Sequence, residues 1–185
     1  MLRYTQSEML AVWRRRLGVD TLMAEASVER TDGIDLDGYI TLAMRQWYLR
    51  ALDTAPLSAL LVEDIYDETE PVRDPHDDAL CYIPLDPSWR RITGVQLFGW
   101  HLPLVPRDYA SAARALEWLA SDFTRPSVRD PMAVFTPRGL LCAPVVRNQV
   151  ISLTVVRDPG PEIYLLDESL LGSIPSSIDQ IMPQF

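Results

Sequence analysis

Four side chains of this 185-residue sequence are suited to acid–base or nucleophilic chemistry near neutral pH: His76, His101, Cys81 and Cys142. An imidazole changes its charge in this pH range, and a thiolate is a strong nucleophile. One hypothesis is therefore a Cys142 nucleophile with His101 as its base. Against it, each cysteine lies in an apolar run, LCYIPL or LLCAPV. Such surroundings favour buried, reduced thiols over catalysis, a disulfide or a metal site.

Sequence motifs of known chemistry do not accompany these four residues. The sequence has no G-x-S-x-G, H-E-x-x-H, G-x-x-x-x-G-K or G-x-G-x-x-G pattern, the signatures of serine hydrolases, zinc proteases, phosphate loops and dinucleotide sites. Because the chain contains no lysine, Schiff-base chemistry is excluded. Asp35 and Asp37 form a carboxylate pair, but helix capping explains Asp35. The sequence predicts a protein that is not an enzyme, with no catalytic residue, metal ion or cofactor.

The charge of the chain argues against nucleic acid as a tightly bound ligand. The 17 basic residues are all arginine, and 26 acidic residues bring the net charge to -9. An extended basic surface that grips phosphates is therefore not expected. No run approaches the roughly 20 apolar residues of a membrane span, and the N-terminus lacks the order of charges typical of a secretion signal. We expect synthesis in the cytoplasm and no membrane partner.

The elements that must position any functional residue begin with helices. Thr5 and Glu8 match a capping box, which predicts a helix that ends near Gly18. Asp35 is predicted to cap a second helix that runs to about Leu52. Its apolar stripe is wide enough to be sandwiched within the chain or to pack on a neighbouring subunit. The stripe comprises Leu36, Ile40, Ala43, Trp47 and Ala51, widened by Tyr39 and Tyr48.

The rest of the chain has mainly β patterns. The segment 63–79, with eight acids up to Asp78, is predicted to be an exposed acidic linker or loop, since it lacks the glycine of a calcium loop. Short β runs follow, and a helix capped by Asp108 interrupts them. The order RDPGPE predicts a hairpin between the last two runs, QVISLTVV and EIYLL. The expected division is a helical region 1–62, the acidic loop, a β-rich domain 80–167 and a tail 168–185.

This pattern predicts an α+β fold with N-terminal helices, followed by a mainly antiparallel β domain that one helix interrupts. Five tryptophans, many for this length, are either interface anchors or core residues. The order of several sequence segments along the chain is also informative about the class of protein. A helix ending in ALDTAP precedes the double strand YIPLDPSWRRITGVQLFGW, and DFTRPSVRDPMAVF, LLCAPV and EIYLL come later.

In these stretches, over roughly residues 35–175, the chain resembles the head-to-tail connector proteins of tailed bacteriophages. The resemblance implies a homo-oligomeric ring, commonly dodecameric, in the neck of the virion. The ring would contact the portal protein and tail or neck proteins, and DNA would pass through it without specific binding. Such proteins often end in a long helix that docks on the portal, whereas Pro175 and Pro183 interrupt this tail.

The resemblance and the residue types together give two sets of candidate residues. An acidic lumen cannot release the counterions that are condensed on DNA phosphates, so acids suit a channel through which DNA passes with little binding energy. The channel candidates are Asp67, Glu68 and Glu70. The candidate subunit and partner contacts are Trp47, Tyr48, Trp89, Arg90, Arg91, Trp100, Ile174, Ile178 and Phe185.

Three alternatives to a connector follow from the same sequence. One is another structural role in the same particle, as a tail terminator or head-completion protein. Another is a non-viral, β-rich module that binds proteins, in which the acidic loop recognises a basic partner. An enzyme with a site assembled in space is a third alternative, because one sequence does not reveal such sites.

Overall fold

The computed structural model describes residues 1–19, 35–108, 117, 119, 121 and 124–181. It has the predicted α+β fold, in which helices are combined with antiparallel sheets. The chain divides into two compact units. Unit 1 comprises Met1–Leu61 and Asp158–Phe185, and unit 2 comprises Val62–Arg157. The predicted helix that begins at Asp108 lies almost entirely outside the described residues.

The two predicted N-terminal helices are present in unit 1. Helix α1 spans Gln6–Arg16, and both hydrogen bonds of its capping box, between Thr5 and Glu8, are formed. Helix α2 spans Leu36–Thr54, and the side chain of Asp35 accepts a hydrogen bond from the Gly38 amide at its start. The caps are predictable because each depends on residues only three positions apart.

The buried face of α2 differs from the predicted stripe. Its buried residues recur every four positions: Leu36, Ile40, Met44, Tyr48 and Leu52. The predicted Ala43, Trp47 and Ala51 are half-buried at the side of this face. Trp47 instead meets Trp13 of α1 edge to face, with ring centroids 5.8 Å apart. The helix therefore buries its stripe within the chain, with the indole pair at the margin.

The end of the β region corrects the predicted hairpin. Strand β9, Ile163–Leu166, pairs in antiparallel register with β1, Leu2–Thr5, and not with the strand that precedes it. The turn that was expected to close the hairpin instead contacts α2. Arg45 forms an ion pair with Asp158 and donates to the Gly160 carbonyl at 3.1 Å. These contacts redirect the chain into unit 1, so the β-rich part ends at Arg157 instead of at residue 167.

The last described segment of unit 1 is short and partly buried. Helix α3, Glu168–Leu171, is capped by the side chain of Asp167, and a single 3-10 turn follows at Ile178–Gln180. Between them Ile174 is buried, with 3% of its surface exposed. Arg16 of α1 donates to the carbonyl of Gly172 at 3.1 Å. The described part of the tail is therefore attached to the helices of its own chain.

Unit 2 contains two antiparallel sheets. The first has the order β2-β8-β5 and the second the order β3-β4-β7-β6. The strands are β2 Glu63–Asp64, β3 Val72–Arg73, β4 Cys81–Ile83, β5 Trp89–Leu97, β6 Met132–Thr136, β7 Gly139–Ala143 and β8 Val150–Arg157. The predicted strand at 101–105 is reduced to a bridge between Leu104 and Val95.

Both sheets of unit 2 contribute to one apolar core. Alternate residues of β4 and β7, such as Ile83 and Cys142, pack in the same cluster as Val95 of β5 and Leu153 of β8. The opposite face of the second sheet carries a smaller cluster. A strand with apolar residues on both faces is the pattern of a sheet covered on both sides.

The acidic segment 63–79, predicted as an exposed linker or loop, has mostly exposed side chains but is folded as part of unit 2. It contributes β2 and β3, and Ile65 between them is buried in the core. The Asp64 carboxylate accepts hydrogen bonds from the Leu153 amide and the Ser152 hydroxyl, each at 2.9 Å. The charges therefore lie on a folded part of unit 2 whose apolar residues hold it in place.

Candidate functional site

An acidic cavity in unit 2 brings together residues from both predicted sets. The cavity has a volume of about 290 Å³ and lies between the turn after β2 and the segment that joins β4 to β5. Its lining includes the channel candidates Glu68 and Glu70, the interface candidate Trp89, and Asp86. Pro84 and Pro87 complete an apolar part of the wall. We call this feature the acidic cavity.

One guanidinium group lies next to the cavity and partly neutralises it. Arg157 of β8 donates from Nη2 to Glu68 Oε2 at 2.9 Å, and its Nη1 lies 3.7 Å from Glu63 Oε2. The hydrogen bond to Glu68, together with attraction by Glu68, Glu63 and Asp86, raises the pKa of Arg157. The positive charge of Arg157 therefore lies near three carboxylates, those of Glu68, Glu63 and Asp86.

Asp86 is held in its charged form by the turn that it starts. Its Oδ1 accepts from the Ser88 hydroxyl at 2.6 Å and from the Ser88 amide at 2.7 Å. These two bonds, and more weakly the charge of Arg157, lower the pKa of Asp86. The carboxylate is thus ionised at neutral pH and oriented at the cavity wall.

The arrangement suits recognition of positive charge. Carboxylates attract a cation, and the face of an indole ring also attracts one when the cation lies over it. Phosphate groups would be repelled at the same place. Of the described residues, no three histidine, cysteine or acidic side chains are grouped so as to hold a metal ion.

The third channel candidate, Asp67, does not line the cavity. It lies in the 3-10 turn Tyr66–Glu68 and is exposed. Glu70 is exposed as well, whereas Glu68 is engaged by Arg157. The three predicted channel residues are therefore close in the chain but different in their surroundings.

A second surface of unit 2 carries exposed apolar side chains. Leu102 is 71% exposed and Val105 is 72% exposed, the largest values among the large apolar residues described. They follow β5 in a loop that is joined to the loop after β7, because the Phe98 amide donates to the Gln149 carbonyl at 2.9 Å. Val146 in that second loop is 55% exposed. We call Leu102, Val105 and Val146 the apolar tip.

The apolar tip was missed by sequence reasoning, which assigned 101–105 to a strand. Pro103 and Pro106 were the available signal, since proline removes the amide that a ladder needs. The sequence instead singled out Trp100, which is buried and donates from Nε1 to the Pro144 carbonyl at 2.9 Å. Trp100 belongs to the core of unit 2 and is not part of the surface of the apolar tip.

Two other predicted interface residues are also inside the chain. Tyr48 is 1% exposed and Ile174 is 3% exposed, so neither offers a side chain to a partner. Trp47 is half-buried, and its Nε1 donates to the Ser173 hydroxyl at 3.1 Å. Composition alone does not distinguish a buried apolar residue of this kind from an exposed one.

The remaining candidates are placed as follows. Arg90 is exposed, and Arg91 and Ile178 are half-buried. Trp89 is half-buried and packs with its ring against the core of unit 2. Phe185 lies outside the described residues. Of the predicted contacts, Trp89 is therefore the one that the structure places in a candidate site.

The hypothesis of a Cys142 nucleophile finds no support in the surroundings of its sulfur. The thiol is fully buried, and the hydrogen bond with Cys81 together with burial raises its pKa well above the usual range. A protonated, inaccessible thiol is a poor nucleophile. His101 is exposed in the loop after β5.

Comparison with known proteins gives no relative: no family model, no curated protein and no solved structure matches the chain. Among the helices described, none has both the length and the apolarity needed to cross a membrane.

Proposed function

We propose that this chain is a structural protein of a tailed-bacteriophage particle, where copies of it form a ring that joins the portal to the tail. The ring would lie in the neck of the virion and let DNA pass without specific binding. In this role the protein is a connector and not an enzyme. Its partners are further copies of itself, the portal protein and neighbouring tail or neck proteins.

The observation that carries the proposal is the apolar tip. Leu102 and Val105 are each more than two-thirds exposed in a chain with a large, well-packed core. Large apolar side chains that are this exposed, on two loops joined by a hydrogen bond, are candidates for a surface that a partner covers. Each subunit of a closed ring has two different faces to bury, so such a surface has a use in every copy.

The charge of the chain is consistent with the passage of DNA. A net charge of -9 with no lysine gives little electrostatic attraction for phosphates. Asp67 and Glu70 add exposed carboxylates on one turn of unit 2. A lumen lined by such groups would release few counterions on contact with DNA, so the duplex would slide with little binding energy.

Light scattering coupled to size-exclusion chromatography tests the proposal, on the chain alone and with the portal protein of the same particle. We expect a ring in at least the second sample. Leu102→Ser/Val105→Ser should lower assembly at least tenfold with unchanged circular dichroism, because exposed positions contribute little to stability. Val72→Ser, at a valine that is 57% exposed elsewhere on unit 2, is the matched control. A wild-type chain that stays monomeric in both samples contradicts the proposal.

The acidic cavity favours one second candidate, a β-rich module that binds a basic protein segment. Glu70, Asp86 and Trp89 offer carboxylates and an indole at one concave place, which suits an arginine or lysine side chain. In this case Glu70→Gln/Asp86→Asn would weaken the binding of a basic peptide but would leave ring assembly unchanged. A monomeric wild-type chain that binds arginine-rich peptides, with loss in this variant, would favour the second candidate.

A further inference from the structure

Cys81 and Cys142 are neighbours on adjacent strands of unit 2. They lie directly opposite each other on β4 and β7 of the second sheet. Opposite residues of an antiparallel ladder have Cα atoms about 4.5–5.5 Å apart, within the roughly 4.4–6.8 Å that a disulfide spans. Both side chains enter the same core cluster, and both are free thiols. The Cys142 thiol itself donates to the Leu140 carbonyl oxygen at 3.9 Å.

The two thiols differ in reactivity because of their surroundings. The hydrogen bond from Cys142 lowers the pKa of Cys81, and the charge of Arg73 acts in the same direction. Arg73 is the residue opposite Cys81 on β3. For Cys142, the hydrogen bond to Cys81 and burial both raise the pKa. These surroundings favour the thiolate at Cys81 over the thiolate at Cys142, although burial opposes ionisation at both sulfurs.

The position of β3 gives a small oxidant a route to Cys81. Both cysteines are fully buried, but β3 is an edge strand of two residues, Val72–Arg73, and both of these are exposed. Short edge strands open at lower free energy than central strands. Cys142 lies one strand further inside, between β4 and β6. Opening of β3 uncovers Cys81 first.

We propose that Cys81 and Cys142 are a reversible oxidation site, at which a peroxide converts the two thiols into a disulfide that joins β4 to β7. The Cys81 thiolate attacks one oxygen of hydrogen peroxide and breaks the O–O bond. This step gives a sulfenic acid at Cys81, and the leaving hydroxide takes up a proton to form water. The Cys142 thiol is a poor nucleophile toward outside reagents, but it lies opposite the sulfenic acid. Its sulfur attacks the Cys81 sulfur as it gives up its proton, and this proton leaves with the sulfenic hydroxyl as a second water. Two thiols and one peroxide thus give one disulfide and two waters, and an added dithiol reverses the change.

The disulfide would close the chain between residues 81 and 142, across both sheets of unit 2. Such a link constrains the unfolded chain and raises stability when the folded geometry accepts it. It would also protect Cys81, because the sulfenic acid is consumed before further oxidation. This inference does not depend on the proposed function, since it concerns two core residues of unit 2.

Peptide mapping of the full chain tests the site. The protein is treated with hydrogen peroxide, remaining thiols are blocked with iodoacetamide in denaturant, and the digest is compared with and without dithiothreitol. We expect loss of both free thiols, one linked peptide pair that contains Cys81 and Cys142, and recovery of both thiols on reduction. The oxidised chain should run as a monomer on a denaturing, non-reducing gel and should unfold at a higher temperature.

Two single variants assign the order of the steps. In Cys142→Ala the sulfenic acid of Cys81 has no partner, so dimedone should label it at least tenfold more than it labels Cys142 in Cys81→Ala. Wild-type protein that keeps both thiols, or that forms sulfinic acid in place of the disulfide, overturns the proposal. A disulfide between two chains overturns it too, and equal dimedone labelling of the two variants overturns the assignment of Cys81. If either variant fails to fold, the wild-type peptide map decides alone.

Discussion

The hydroxyl group of Tyr48 closes the open edge of strand β9 at Leu165. It donates to the Leu165 carbonyl at 3.2 Å and accepts from the Leu165 amide at 3.0 Å. The Gln6 amide donates to the Glu162 carbonyl, and hydrogen-bonded pairs alternate along an antiparallel ladder. The backbone N–H and C=O groups of Leu165 therefore point away from β1. Without Tyr48 they would have no hydrogen-bond partner on a neighbouring strand. The Tyr48 hydroxyl thus makes the two hydrogen bonds that a third strand would otherwise make with Leu165.

Removal of this hydroxyl should destabilise unit 1. Tyr48→Phe keeps the ring that packs 4.9 Å from Tyr164, measured between centroids, but leaves two backbone groups of Leu165 without a partner. We expect a loss of about 1–3 kcal/mol in the free energy of unfolding, the cost of unsatisfied buried groups. Urea unfolding measures it, and hydrogen exchange of the Leu165 amide should lose its protection.

Tyr39→Phe on the same helix is the matched control, because Tyr39 is 40% exposed. Its change should stay within about 0.5 kcal/mol. Unchanged exchange at Leu165 in Tyr48→Phe would show that the hydroxyl does not protect this edge.

Gly139 marks the point where the turn before β7 approaches β4. Its φ is +127°, and a Cβ atom would lie 2.5 Å from the Ile83 carbonyl oxygen. We expect Gly139→Ala to cost at least about 2 kcal/mol, because backbone strain of about 1–3 kcal/mol is joined by a clash with backbone. Thermal unfolding with a denaturant series would measure this loss.

Gly160→Ala measures the cost of backbone strain at positive φ without the cost of a steric clash. Gly160 also has a positive φ, +99°, but nothing lies within 4 Å of its Cβ position. This variant should lose only the conformational part, about 1–2 kcal/mol. Equal losses at the two positions would contradict the close approach of Gly139 to Ile83.

Elements that depend on near neighbours were predictable from the sequence. The cap of α1 needs only Thr5 and Glu8, and the start of α2 needs only Asp35 and Gly38. The strands 132–136 and 139–143 are likewise joined by a short turn. In each case the partner groups are close along the chain, so residue type and spacing carry the information.

Pairing between distant segments was not predictable. The β9 segment looked like half of a hairpin because RDPGPE is a strong turn signal, yet it pairs with Leu2–Thr5, at the opposite end of the sequence. The acidic cavity also depends on contacts between distant segments. Glu68 and Trp89 are separated by 20 residues of chain, and Arg157 comes later still. One sequence gives residue types and local patterns but no record of which distant segments meet.

Asp74 should make the stability of unit 2 depend on pH in the acid range. Its carboxylate accepts from the His76 amide at 2.8 Å and lies 3.3 Å from Arg138 Nη1. The first of these bonds is the main cause that lowers the pKa of Asp74, with smaller effects from Tyr82 and Arg138. Because the folded-state pKa is depressed, the stabilisation is present above the unfolded value of about 3.9 and is lost as pH falls through the folded-state pKa.

Asp74→Asn removes the charge but keeps an oxygen that can accept from the His76 amide. We expect the wild type to be more stable than this variant at pH 7 and the difference to shrink steadily below about pH 4. Urea unfolding from pH 7 to pH 2.5 measures both curves. Parallel curves would contradict a charge effect at Asp74, and Asp67→Asn, at an exposed position, is the control.

Charge reversal on the exposed acidic turn tests the part of the proposed function that concerns DNA. We expect Asp67→Arg/Glu70→Arg to slow genome ejection several-fold at low salt, because arginines in the lumen would bind phosphates. Each phosphate contact makes the logarithm of the binding constant fall with the logarithm of the salt concentration by a slope of about 0.9. The delay should therefore vanish at high salt. Glu68 is left unchanged, because reversal there would place two guanidinium groups side by side at Arg157. Dye fluorescence of DNA released from particles that carry the variant measures the rate.

Glu162→Arg/Glu168→Arg is the control for net charge, since both glutamates are exposed on unit 1. It alters the charge of the chain by the same amount at another place and should leave ejection at the wild-type rate. If both variants slow ejection equally, the effect comes from overall charge and not from a lumen at Asp67 and Glu70. If neither variant slows ejection, although both proteins are present in the particle, the acidic turn does not face the DNA. That result would contradict the proposed DNA channel at these acids, whereas the proposed assembly surface at the apolar tip is tested separately by Leu102→Ser/Val105→Ser.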